Sequence, residues 1–204
     1  MRRISTGVLA VCLAAVLLSS CAGNSTSDAS ANSIAAGSVT ASSASAETAT
    51  ITYDGGTGTQ EDPYQINSVD SLLTFAANVN DGSQGGYAGV YFKLTNDLDL
   101  AGVAWTPIGN MDDLATHSTL FLGSFDGDTH IISNLNYVSD DYNCGAGLFG
   151  VSCGEVKNLT MENATITVNE STSLAIGGVV GYNMGSVDNV TLKGDSTITG
   201  NNCV

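Results

Sequence analysis

The chain has 204 residues, 20 acidic against 5 basic side chains, a formal net charge of −15, 24 glycines and 2 prolines. That length suits one domain with attachments. So acidic a surface argues against nucleic-acid binding, which needs basic side chains to displace counterions, and against electrostatic docking on anionic lipid. Its general effect is to keep a surface protein soluble.

Arg2 and Arg3 followed by the apolar run from Val8 to Leu18 read as a secretory signal over residues 1–20. The run is shorter than the roughly 20 apolar residues that span a bilayer. Leu18-Ser19-Ser20-Cys21-Ala22 resembles the bacterial lipobox. It implies that Cys21 carries palmitate-type acyl chains and becomes the new N-terminus. The protein would then sit in the cell envelope, anchored in a membrane by its lipid and facing out of the cytoplasm. An ordinary signal peptide with a chance cysteine is the alternative. Residues 22–48 are Ser, Thr, Ala, Asn and Gly with almost no large apolar side chain. They cannot bury enough surface to offset their ordering entropy and read as a tether. The expected organisation is signal 1–20, lipidated Cys21 and tether 21–49, and one folded domain 50–204.

In that domain Tyr64-Gln65-Ile66 reads as a strand, and Ser68 as the N-cap of a helix. Leu72, Leu73, Phe75, Ala76 and Val79 recur at helical spacing, and Asp81-Gly82 ends the run. Strands are expected at residues 90–94 and 98–100, followed by Trp105-Thr106-Pro107-Ile108-Gly109, with Trp105 and Pro107 packing between a cap and the coils. Beyond this point the chain repeats. Gly147-Leu148-Phe149-Gly150 returns 31 residues later as Gly178-Val179-Val180-Gly181, each ahead of a Val-x-Asn-apolar-x-apolar phrase. Repetition at a period of 20–50 residues marks a solenoid. Aligning Ile132, Val156 and Val187 makes a third, degenerate copy at residues 123–137. It puts the coil at 24 residues, with about seven inserted near Asn169–Ser173 in the last step. In that alignment Asn134, Asn158 and Asn189 stack as a structural hydrogen-bonded ladder at one turn. The expected fold is all-β: a short right-handed parallel β-helix with one N-terminal capping helix, the cap over about 50–109 and the coils over about 120–204. The end after Thr197-Ile198-Thr199 looks uncapped, which invites end-to-end self-association or continuation in a longer protein.

The phrases GTGTQEDPYQI, YFKLTNDLDL, WTPIG, GSFDGDTHIISNL, GLFG and GGVVGYNMGSVDN occur in that order between Gly56 and Asn189. They resemble the GLUG-motif family of bacterial surface proteins over nearly all of the folded part. The resemblance implies a right-handed parallel β-helix on a secreted or surface-attached protein. That family also appears beside immunoglobulin-cleaving metallopeptidase domains. This chain lacks HExxH, so the activity does not carry over.

Few residues offer chemistry. Asp97 and Asp99 alternate on a strand and could converge, as a glycosidase or a cation site requires; strand-end residues are the plainer reading. Asp126, Asp128 and His130 could bind a metal or work as acid and base, or form a turn in the scaffold. Asp140, Asp141 and Tyr142 read as an exposed loop. Cys144 and Cys153 could form a disulfide in an oxidising compartment or stay as a buried thiol pair, leaving Cys203 odd. No metal or cofactor is implied. The leading expectation is a non-catalytic, lipid-anchored module for adhesion or scaffolding, with a glycan, host-protein or cell-wall partner. A carbohydrate-active enzyme using the paired aspartates is the alternative.

Overall fold

The chain divides into two units, Met1–Ala46 and Glu47–Val204. The computed structural model describes residues 53–112, 116–140, 145–169 and 175–200, all in the second unit. The signal, the lipidated Cys21 and the tether lie outside the described residues. So do Asp141, Tyr142, Cys144, Cys203 and the segment 170–174.

The architecture is mostly β, with parallel strands stacked coil on coil in a β-helix-like arrangement. β1 (Tyr64–Ile66) leads into α1 (Val69–Asn80), then a 3-10 turn at Gly85–Tyr87, β2 (Tyr91–Leu94) and β3 (Leu98–Asp99). β4 (Ser124–Asp126), β5 (Ile131–Ser133) and β6 (Asn136–Ser139) follow. The next coil holds β7 (Phe149–Ser152), β8 (Glu155–Lys157), β9 (Thr160–Glu162) and β10 (Thr165–Val168). The last holds β11 (Val180–Asn183), β12 (Ser186–Asp188), β13 (Thr191–Lys193) and β14 (Thr197–Gly200). The strands form four sheets: β1-β2-β4-β8-β12, which runs the length of the stack, and the shorter β3-β5-β9-β13, β6-β10-β14 and β7-β11. Every pairing is parallel.

Three-residue strands such as Glu155-Val156-Lys157 and Thr160-Met161-Glu162 point only their central side chain inward. Each coil therefore adds one apolar residue per short strand to a column. Ile66, Phe92, Leu94, Phe125, Ile132, Val156, Met161 and Ile166 share the resulting core and are at most 1% exposed. Glycine serves close packing here. A Cβ on Gly154 would strike the carbonyl of Gly123, and one on Gly185 the carbonyl of Gly154. Gly123, Gly154 and Gly185 thus form a column in which only backbone fits.

α1 is capped by a reciprocal Ser68–Ser71 box and ends at Asp81, with Gly82 at φ 69°. Its apolar stripe enters the same core. The Phe75 ring lies 4.4 Å from Phe92 and 5.8 Å, stacked, from Phe125. Trp105 is buried, and its Nε1 donates to the Gly147 carbonyl at 3.2 Å.

The register corrects the sequence alignment. Val156 does pair with Val187, and Phe149 with Val180. One coil earlier, Val156 pairs with Phe125, and Ile132 pairs with Met161. The step from Ser124 to Glu155 is 31 residues, the same as from Asn158 to Asn189. The 24-residue coil is therefore wrong, and no seven-residue insertion distinguishes the last step. The error has a simple cause. In this coil the phrase apolar-x-Asn-apolar-x-apolar occurs twice, at Val156-Lys157-Asn158-Leu159-Thr160-Met161 and again at Met161-Glu162-Asn163-Ala164-Thr165-Ile166. Ile132-Ser133-Asn134-Leu135-Asn136-Tyr137 matches the second corner, not the first. β2 and β3 also join the main sheets, so residues 91–99 belong to the stack and not to a separate cap.

Candidate functional site

The polar side chains singled out by sequence gather at the corners between short strands. Asn134, Asn158, Asn163 and Asn189 all adopt left-handed backbone, with φ between 49° and 57°. Asparagine tolerates that conformation better than other side-chain-bearing residues. Along one corner, Asn158 Nδ2 donates to Asp126 Oδ1 at 3.0 Å, and Asn189 Nδ2 donates to Asn158 Oδ1 at 2.8 Å. Asn134 stands on a different corner. Its Nδ2 donates to Asp99 Oδ1 at 2.8 Å, and its backbone N–H donates to the Glu162 carbonyl next to Asn163. The ladder expected through 134, 158 and 189 is thus two ladders. A third contact of the same kind joins Asn169 Nδ2 to Asp140 Oδ1 at 2.7 Å.

The aspartates engage separate partners. Asp97 Oδ1 accepts from the Ile131 N–H at 2.9 Å and faces His130 Nδ1 at 3.0 Å. Asp99 Oδ1 accepts from Ala101 N–H as well as from Asn134. The Ile131 amide and then His130 hold the Asp97 carboxyl below its usual range, and Asn134 and then Ala101 do the same for Asp99. Asp126, Asp128 and His130, adjacent in sequence, are divided among three tasks. Asp126 Oδ1 accepts the Asp128 N–H at 2.8 Å besides Asn158; the Asp128 carboxylate pairs with Lys93 Nζ at 2.8 Å; and His130 turns to Asp97. Among the described residues, no three His, Cys, Asp or Glu side chains converge as metal ligands.

Sequence reasoning missed several members of this network. Asn163 accepts the Asp195 N–H on its Oδ1 at 3.0 Å. Its signal was present: Asn163-Ala164-Thr165 repeats Asn158-Leu159-Thr160 one strand later. Three lysines each meet an acid: Lys93 with Asp128, Lys157 with Glu155 at 2.7 Å and Lys193 with Glu162 at 3.4 Å. Lys157, then the Ser124 hydroxyl at 2.7 Å, hold the Glu155 carboxyl low. Cys153 is half-buried, and its expected partner Cys144 lies outside the described residues.

The GLUG motif matches residues 172–199, a segment that holds β11 to β13 and all of β14 but Gly200. The chain carries a GLUG motif. Halomucin of Haloquadratum walsbyi is 32% identical over 152 residues, covering 72% of this chain and 2% of halomucin. A protein of Evansella cellulosilytica, provisionally named a Gly-rich membrane protein, is 33% identical over 151 residues, covering 69% of this chain and 16% of its own. The chain therefore spans a small part of the length of either relative. A crystal structure from Bacteroides ovatus, provisionally described as an immunoglobulin A1 protease, covers 72% of this chain and 51% of its own at 21% identity, with a TM-score of 0.47. Among the described residues, no helix is long and apolar enough to cross a membrane.

Proposed function

We propose that this GLUG-containing chain is a lipid-anchored module displayed on the cell envelope, which binds or scaffolds and does not catalyse. One observation carries the reading: Asp97, Asp99, Asp126, Asp128 and His130, the candidate catalytic groups, are each held by a neighbouring coil or turn. A carboxylate committed to backbone and asparagine donors is poorly placed to exchange protons with substrate. The relatives' names, a halomucin and a membrane protein, favour an envelope location. The Leu18-Ser19-Ser20-Cys21 phrase favours Cys21 as the lipidated residue. In this reading the coils wind right-handed, and α1 closes their first turn against water. The exposed faces would meet a glycan, a host protein or the cell wall.

The test has two arms. The full chain is expressed in a bacterium with lipoprotein processing and followed by detergent-phase partitioning and N-terminal mass. Lipidated Cys21 and release of the Cys21→Ala variant into the aqueous phase are expected. The purified protein is then screened against neutral and acidic glycans, with binding and product release measured together. Turnover that disappears in Asp126→Asn or Asp97→Asn would overturn the non-catalytic reading.

A further inference from the structure

The outer side face of the sheet through β2, β4, β8 and β12 carries two side-chain columns in register. One is Tyr91, Ser124, Glu155 and Ser186; the other is Lys93, Asp126, Lys157 and Asp188, with Gln65 of β1 beside Lys93. On the first three of these strands the residue between the columns, Phe92, Phe125 or Val156, is at most 1% exposed, so its two neighbours point outward. Strands stack about 4.8 Å apart. That is close to the length of one pyranose unit in an extended chain of sugars.

The polar groups of this face are held in place. Glu155 Oε2 accepts from the Ser124 hydroxyl and from Lys157 Nζ, both at 2.7 Å, and Lys93 Nζ pairs with Asp128 at 2.8 Å. Asp126 accepts from Asn158 Nδ2 and the Asp128 N–H. In a chain of net charge −15, both lysines here are already matched by acids, so the face offers a polyanion no spare cation. An ammonium nevertheless has three N–H donors and a carboxylate two acceptor oxygens, so each ion pair can still meet a hydroxyl. The Lys93 and Lys157 side chains, 39% and 29% exposed, are within reach of one. Tyr91 supplies the aromatic ring of these columns, a surface that is apolar in its body and polar at its tip. Without an apolar centre the face does not suit a protein partner, whose interface buries one. A sugar hydroxyl, which both donates and accepts, does suit it.

We infer that this side face binds a neutral polysaccharide, extended along the stack with one sugar unit per coil. One ring packs on Tyr91, and hydroxyls of successive units bond Glu155, Lys157 and Lys93. This rests on the binding reading proposed above and gives it a ligand class and a location.

The full-length protein is titrated calorimetrically with cellohexaose, mannohexaose and the hexamer of N-acetylglucosamine, and with hexagalacturonate as the anionic comparison. Saturable binding of at least one neutral hexamer is expected, with affinity rising from its disaccharide to its tetrasaccharide. Tyr91→Ala should weaken it about tenfold. Glu155→Gln with Lys157→Gln should abolish saturation while circular dichroism stays that of the folded chain. Val138→Asp, on the outer face of β6, should change nothing. No neutral hexamer bound, tighter binding of hexagalacturonate, or binding indifferent to Tyr91→Ala would each overturn the inference. Binding that survives these variants would overturn the face and uphold the binding module; binding lost in them, but accompanied in the wild type by product release, would uphold the face and overturn the non-catalytic reading.

Discussion

Each asparagine corner combines two separable contributions, a left-handed backbone and a side-chain bond to the coil below. Asn158→Gly removes the bond and keeps the backbone easy; Asn158→Ala removes the bond and adds strain. Urea titration should show losses of about 1 kcal/mol for glycine and a further ~1 kcal/mol for alanine. Asn158→Asp would face the Asp126 carboxylate and should be the most destabilising of the three. A pH dependence belongs to the same scale. The Asp97, Asp99 and Glu155 carboxyls are held below their ordinary values of 3.8, 3.8 and 4.5. A depressed folded pKa means that the unfolded chain takes up protons first as pH falls. The stability these groups contribute is present at neutral pH and is lost below about pH 4.5, through the carboxylate range. Asp99→Asn can keep both hydrogen bonds through its own Oδ1 but carries no charge. It should lower thermal stability at pH 7 and converge with the wild type in acid; parallel pH profiles would contradict this.

Among the elements, α1 was fully legible. Ser68 caps it, its apolar residues have a clean helical period, and Gly82 follows it in a left-handed conformation. The 31-residue repeat was legible at Phe149–Val180 and Val156–Val187, where two coils preserve the same phrase. The earlier register was not, because successive corners within one coil share a consensus. In sequence, Asn134 cannot be told from a copy of Asn158; only strand pairing places it above Asp99 and beside Asn163 in the stack. The aspartates misled for a related reason. Alternation put Asp97 and Asp99 on one face, but their side-chain partners, His130 and Asn134, flank β5 more than 30 residues on. Such contacts follow from the fold and have no local pattern. Phe75 tests how α1 belongs to the stack. Its ring touches Phe92, Phe121, Phe125 and Phe149, so Phe75→Ala should cost about 3–5 kcal/mol. A loss below about 1 kcal/mol, measured by chemical denaturation, would mean that the coils hold together without the helix.

For the whole molecule, a one-dimensional stack makes each coil's stability depend on its neighbours. The acids that make the protein strongly anionic also seed its ladders: Asp99 under Asn134, Asp126 under Asn158 and Asp140 under Asn169. Charge at the corners is therefore first a stacking device, and display on the envelope is the role we propose for the surface so built. The most direct test is a double-mutant cycle of Asp126→Ala and Asn158→Ala, with unfolding free energies from urea titration at pH 7. A coupling of about 1 kcal/mol is expected if the carboxylate's role is to anchor the next coil. Strict additivity would contradict it, and would return Asp126 to the list of groups free for chemistry.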